Sequence, residues 1–243
     1  MNLQSLITII AVLTALLPTA IHLAKIFAPQ SPVASIVPNP PKNPVQEGLL
    51  PTEESVKKST VRQLVNTNRC VKCDLSGADL KNKDLSRADL TQANLSRARL
   101  DNTKLINTIL SQSNLQAANL VKAHLNGADL KRADLRDANL SQAELLDASL
   151  SKANLTKATL IKAELRDADL TFANLTDANL QQASLYGTLL QHADLRGANL
   201  SGADLRYANL SEANLQGANL DNAEIANAIM PDGQPAYTGQ PRY

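Results

Sequence analysis

The sequence predicts a solenoid wound from five-residue units, and three observations carry that prediction. Leucine stands at every fifth position from Leu75 to Leu220 without a break. Two residues before nearly every leucine sits a small residue, usually alanine, as in Ala88-Asp89-Leu90, Ala138-Asn139-Leu140 and Ala198-Asn199-Leu200. Among 243 residues there are two Phe, four Tyr and no Trp, which does not suit an ordinary globular core.

The period excludes the two regular structures. A helix turns about 100° per residue, so residues five apart share no face. A strand alternates faces with period two, and five is odd, so successive leucines of an unbroken strand point to opposite sides. Each unit therefore contains its own bend, which returns the next leucine to one interior, and the coils stack. The residue before leucine is mostly Asp or Asn, which tolerate turns and bond nearby backbone. The two residues after it are polar and variable, as in Ser76-Gly77, Lys131-Arg132 and Ser151-Lys152. Leucine and alanine face inward, and the narrow interior leaves little room for a ligand.

Tandem Ala-(Asp/Asn)-Leu-x-x units over about two-thirds of the chain resemble the pentapeptide repeat proteins. The resemblance implies an all-β fold, the right-handed quadrilateral β-helix, with four units per coil. The coils then number about eight and stack at ~4.8 Å into a rod of roughly 38 Å. Residues twenty apart form ladders, and Leu130, Leu150 and Leu170 form one in the core. The resemblance also implies a homodimer through the C-terminal coil, although the aromatic residues that often enrich that end are missing here.

In chain order, residues 1–28 read as a single-pass transmembrane anchor, with a cleaved signal peptide as the rival. No charged side chain precedes Lys25, and the apolar stretch is long enough for a ~30 Å hydrocarbon core. A signal peptide lacks support from a basic n-region, and Pro29 follows Ala28 at the most obvious cleavage site. Lys25 and Lys42 follow the stretch and no basic residue precedes it, which favours the rod on the cytoplasmic side of a plasma membrane, or of a thylakoid membrane in a cyanobacterium. Residues 29–51 hold seven prolines and read as an extended linker. Residues 52–68 read as a short capping helix with Thr52 at its N-cap and Val56, Val61, Leu64 and Val65 as an apolar stripe over the first coil. Residues 69–230 are the repeat, and 231–243 read as a disordered tail in which Tyr237 and Tyr243 are the candidates to cover the last coil.

Cys70 and Cys73 form the one arrangement that invites chemistry. Cys70 occupies a leucine position and Cys73 an alanine position, so both are expected to point inward, as buried thiols or as a disulfide. Zinc needs more ligands, and His22, His124 and His192 are scattered. A redox motif needs a βαβ context that the repeat does not provide. Lys83 takes an alanine position and is expected to reach outward, since an unpaired buried lysine is costly. Thr103, Thr108, Ser113 and Thr188 also replace alanine. Beside them, Ile106, Ile109, Leu146, Tyr186 and Leu189 take outward positions and form a candidate partner face.

No carboxylate pair, nucleophile with its base, or phosphate-binding loop stands out from the repeat, so neither catalysis nor a cofactor or metal is expected. The reading is a membrane-tethered structural or interaction rod with an unidentified protein partner. Some pentapeptide repeat proteins mimic DNA and act on topoisomerases, which is the alternative, together with a secreted or lumenal rod. Mimicry needs a strongly acidic rod. Residues 69–230 carry 18 Lys+Arg against 19 Asp+Glu, a net of −1, so neither nucleic-acid binding nor mimicry is favoured. The charge is uneven along the rod. Residues 69–166 have 16 basic and 11 acidic side chains, net +5, and residues 167–230 have 2 and 8, net −6.

Overall fold

The structure, a computed structural model, describes residues 52–236. Residues 1–28, assigned above to an anchor, and the 29–51 linker lie outside the described residues. No helix among the described residues is long and apolar enough to cross a membrane.

The repeat closes a coil every twenty residues. Each Asp/Asn position pairs in parallel with the residue twenty further on, from Arg69↔Asp89 to Asn209↔Ile229. Four five-residue units thus make one coil with four sides. Side one begins with residues 73–75, side two with 78–80, side three with 83–85 and side four with 88–90, and each recurs every twenty residues. Two-residue corners separate the sides.

Backbone accounting explains why each position holds its residue. In the unit 91–95, Leu95 N–H donates to Asn114 O of the next coil (2.7 Å) and Asn94 N–H to Cys73 O of the preceding one (2.8 Å). Gln92 N–H reaches Ser111 O across the corner (3.0 Å), and Ala93 N–H closes a β-turn on Leu90 O (3.0 Å). Only the first corner residue is left, and no carbonyl reaches it. Thr91 N–H instead donates to Asp89 Oδ1 at 3.1 Å. The Asp/Asn before leucine therefore supplies the fifth acceptor, and the same bond recurs around the rod, as Ser76 to Asp74 or Thr156 to Asn154. Every donor of the unit is satisfied, as a water-poor interior requires.

The β-turn needs a left-handed residue at its third position, as type II turns do. That residue is the second of each corner. Glycine fills it at Gly77, Gly127 and Gly187, but Lys72, Arg87, Phe172 and Tyr207 adopt it too, at φ near 60°. A left-handed residue other than glycine costs about 1–2 kcal/mol, and the coil-to-coil bonds on both sides hold it there.

Leucine and alanine fill the interior, and Leu130, Leu150 and Leu170 are stacked and fully buried on the inner face of side four. The alanine replacements stay dry because each hydroxyl finds a second lone pair on a leucine carbonyl. Thr103 donates to Leu80 O (2.8 Å), Thr108 to Leu85 O (2.8 Å), Thr188 to Leu165 O (2.7 Å) and Ser113 to Leu110 O (2.7 Å). Lys83 is exposed.

At the N-terminal end, helix α1 (Glu53–Thr67) covers the first coil. Thr52 caps it by accepting from Ser55 N–H (3.3 Å), and left-handed Asn68 ends it, its N–H bonding Leu64 O (2.8 Å). The packed face is narrower than the expected stripe. Leu64 is buried and Val61 partly so, with the Lys57 stem one helical turn before Val61, whereas Val56 and Val65 are exposed. At about 100° per residue, Val56 and Val65 fall outside the arc that Val61 and Leu64 define.

The C-terminal end corrects the expected loose tail for residues 231–236. The Pro231-Asp232-Gly233 turn, with Gly233 at φ 78°, folds the chain back antiparallel onto the last side. Met230 N–H bonds Gln234 O (2.8 Å) and Ala236 N–H bonds Ala228 O (2.7 Å). An Asp-Gly turn after an extended segment favours such a hairpin. Residues 237–243, including Tyr237 and Tyr243, lie outside the described residues.

Candidate functional site

Side four and the two corners that bound it differ from the rest of the rod. Position 9 of each coil faces outward from this side, positions 6 and 7 form the corner before it, and positions 11 and 12 the corner after it. The five residues expected on a partner face all fall here. Ile106, Leu146 and Tyr186 stack along the first corner, and Ile109 and Leu189 lie on the side itself. Three more join them: Tyr207 on the first corner, Ile229 on the side and Phe172 on the second corner. Together these are all the large apolar side chains that the rod exposes among the described residues; the two others, Val56 and Val65, belong to α1. The sequence reading missed Tyr207, Ile229 and Phe172. Their signal was present, since each sits at an outward position and shares a face with the others once the coil is counted as twenty.

The other faces are mostly polar, with the partly exposed Val121 and Ile161 on the corner after side two as exceptions. Side one presents Asp74, Asn94, Asn114, Asp134, Asn154 and Asn174 in one column, each bridged to the next. Single exposed apolar residues need no explanation, but confinement of all eight to one face of four is the pattern of a docking surface.

Local contacts order this face. Tyr186 and Tyr207 pack with ring centroids 5.1 Å apart, and the Arg206 guanidinium lies 5.8 Å over the Tyr186 ring. Phe172, 55% exposed, stacks on His192 at 4.5 Å, with Lys152 Nζ 5.8 Å over its ring and Glu212 at 3.1 Å from His192 Nδ1. Arg206 also pairs with Asp204 (2.8 Å) and Glu224 (3.2 Å). The Arg206 side chain holds the Asp204 carboxyl below its usual range, and away from this face, on side one, Arg136 and Arg196 do the same to Asp134 and Asp194. Glu144 is lowered by its hydrogen bond to His124 at 2.8 Å. Two buried side-chain polar atoms lack a hydrogen-bond partner among the described residues, Ser149 Oγ on side four and Gln191 Oε1 on its second corner. Both belong to this face.

Cys70 and Cys73 are joined as a disulfide, with Cα atoms 5.4 Å apart. Cys70 is buried as its leucine position requires, whereas Cys73 is only partly buried, because the first coil has no coil beneath it. No group of three or more His, Cys, Asp or Glu among the described residues could hold a metal ion. The shallow depression lined by Glu164, Arg166, Ser184, Tyr186, Asp204 and Arg206 is open to solvent and forms part of the same corner.

The far end of the rod is a second exposed feature. Leu215, Leu220 and Ile225 are half-buried, and their N–H groups have no partner among the described residues, since the hairpin 231–236 covers only the fourth side.

Comparison with known proteins agrees with this architecture. The family model for pentapeptide repeats matches residues 69–105, 98–137, 133–171, 173–209 and 198–231. No curated protein matches the chain. Among solved structures, HetL, a pentapeptide repeat protein involved in heterocyst differentiation regulation from the cyanobacterium Nostoc sp. PCC 7120, is 36% identical, covering 69% of this chain and 89% of its own (TM-score 0.27). Rfr23 from the cyanobacterium Cyanothece 51142 is 24% identical over 71% of this chain and 98% of its own (TM-score 0.27). QnrB1, a plasmid-mediated fluoroquinolone resistance protein, is 20% identical over 64% and 81% (TM-score 0.38).

Proposed function

The chain belongs to the pentapeptide repeat family, whose fold is the right-handed quadrilateral β-helix, and on that premise we propose that it is a non-catalytic interaction module: a rigid rod, tethered to a membrane by residues 1–28, that presents side four to a protein partner. The observation that carries this reading is the confinement of Ile106, Ile109, Leu146, Phe172, Tyr186, Leu189, Tyr207 and Ile229 to one face. A solenoid buries its core without using any outer face, so an apolar outer face is explained by something that covers it. The depression lined by Glu164, Tyr186 and Arg206 is open to solvent and lends no support to a catalytic or cofactor pocket.

The tether rests on the uncharged stretch before Lys25. The disulfide Cys70–Cys73 supports an oxidising compartment for the rod, because such bonds are rare where thiols are kept reduced. It speaks for the lumenal or outer side against the charge bias, which rests on Lys25 and Lys42 alone. The half-covered last coil, with Leu215, Leu220 and Ile225, offers a second contact for end-on pairing of two rods. DNA mimicry is the lesser reading. It draws on the acidic residues 167–230, net −6, but these span only about three coils and the whole rod is near neutral.

One experiment tests the central claim. The full chain carrying Ile109→Asp and Leu189→Asp should keep the wild-type melting curve and lose its crosslinked partner in membranes. An unchanged crosslinking pattern would refute side four as the docking surface. Deleting residues 1–28 should move the chain to the soluble fraction, and labelling of Cys70 and Cys73 by maleimide only after reduction supports the oxidising side.

A further inference from the structure

We infer that side four pairs with side four of a second copy of this chain, the two rods lying antiparallel with Leu146 and Ser149 at the two-fold axis. This deepens the reading above by naming the partner, and it rests on that reading for the choice of face.

The apolar residues are arranged symmetrically about one coil. Ile106 and Ile109 lie two coils before Leu146, and Tyr186 and Leu189 two coils after it, each step of forty residues being about 9.6 Å along the rod. A two-fold axis lying in the interface, perpendicular to the rods and passing at Leu146 and Ser149, brings Leu146 to Leu146 of the second copy. It also brings Ile106 to Tyr186 and Ile109 to Leu189, each contact occurring twice, as an isologous interface requires. On the second corner the same operation sets Arg132 beside the exposed edge of Phe172, whose ring faces are taken by His192 and Lys152. On the first it sets Arg87 against the ring of Tyr207, which is 54% exposed.

Charge adds a small preference for antiparallel over parallel rods. About the axis, residues 69–148 are net +2 and residues 150–230 net −3. Parallel pairing would set like-charged halves together, and antiparallel pairing sets the basic half of one rod against the acidic half of the other. The pairing has unfavourable contacts as well. Asp129 meets Asp169 of the second copy, and Asp147 and Lys152 each meet their own copies close to the axis. Like charges directly opposite weaken an interface, so these contacts set a ceiling on its strength.

The area agrees with a reversible dimer. Five residues at ~3.3 Å give a side at most about 16 Å wide, and about eight coils give ~38 Å of length, hence roughly 600 Å² per copy. Standard stable interfaces use about 800 Å² per partner.

The test is site-directed crosslinking of the full chain in membranes of expressing cells with a short bis-maleimide. Leu146→Cys should crosslink to itself. Ile109→Cys alone should not, because the two copies of residue 109 lie four coils, about 19 Å, apart. Ile109→Cys co-expressed with a differently tagged Leu189→Cys should give the mixed dimer. Asp129→Asn on the Leu146→Cys background should raise the dimer yield severalfold. Self-crosslinking of Ile109→Cys in preference to Leu146→Cys means parallel rods and overturns the proposal. Absence of any dimer from all three cysteine variants overturns it too. In that case a crosslinked product of another mass from the same cysteines leaves side four as a docking surface for a different protein, which keeps the two claims separable.

Discussion

Replacing Leu150 by alanine tests whether the leucine column holds the rod together. Leu150 is fully buried between Leu130 and Leu170 and beside Ala148. Its surroundings have little freedom to close over a vacancy. Leu150 N–H is bonded to Asp169 O at 2.7 Å, and Leu130 N–H to Ser149 O at 2.7 Å, so the coils above and below are pinned at their spacing. A cavity that cannot collapse places Leu→Ala in the upper part of its range, about 3–5 kcal/mol. At about 2–4 °C per kcal/mol for a domain of this size, the melting temperature should fall by roughly 10 °C. Two controls give the result its meaning. Ser151→Ala changes an outward corner residue and should stay within about 0.5 kcal/mol. Leu220→Ala changes the same residue type on the half-open last coil and should cost about 1 kcal/mol, because the leucine there is only half removed from water and has one neighbouring coil instead of two. Circular dichroism melts of the full chain read all three. Equal losses for Leu150→Ala and Leu220→Ala would refute the nearest-neighbour reasoning, and a loss below about 1 kcal/mol for Leu150→Ala would refute the pinned-cavity reasoning.

Gly187→Ala should cost about 1 kcal/mol, since φ is +66° and an added Cβ meets Asp167 Oδ1 at 2.3 Å, while Lys157→Gly, at φ 59°, should gain a similar amount in the same melts. Thr188→Val should cost about 1 kcal/mol, because Leu165 O keeps its bond from Ala168 N–H (3.1 Å) and loses only the hydroxyl. The pH profile of stability should be flat near neutrality and fall in acid. Asp74, Asp84, Asp89, Asp134, Asp194 and Asp204 are all held below the usual 3.8, by bonds from the residue two further on. A depressed folded-state value gives stability that is present above 3.8 and is lost as pH falls through the lower folded values. A melting temperature that rises below pH ~4 would contradict this assignment.

The sequence made the interior legible and the surface only partly so, for a physical reason. Core positions are constrained at every unit, so Leu75 to Leu220 announce the period and Ala88 or Ala138 the phase. The count of four units per coil is not contained in a period of five; it came through family resemblance and is visible in the pairing of Asp74 with Asn94 and Asn94 with Asn114. Without that count, Tyr207 and Phe172 are isolated corner residues. With it, they complete the face begun by Ile106, Ile109, Leu146, Tyr186 and Leu189. Asp and Asn were read as turn formers, which is half of their role. They sit on the straight sides, and their side chains bond the first donor of the next corner, as Asp89 does for Thr91. The hairpin at 231–236 was missed because its proline suggested only an end to the repeat, although Asp232-Gly233 carried the turn signal.

The two ends of the rod follow from the same donor accounting. The first coil is closed by α1, whose C-cap carbonyl at Asn68 accepts from Asp89 N–H at 2.9 Å, and is fastened by Cys70–Cys73. The last coil has donors at Leu215, Leu220 and Ile225 that are left to water or to another extended chain, since the hairpin that follows reaches one side of four. An unpaired edge of this kind invites end-to-end growth of the solenoid unless it is interrupted. Ile229↔Pro235 provides an interruption, because proline has no N–H to pass the ladder on and the pairing there is antiparallel. A copy docking end-on therefore meets three open sides and one blocked one. That obstacle is absent from side four, where eight apolar residues lie along most of the length of the rod, so side-on association is the contact this surface is better built to make.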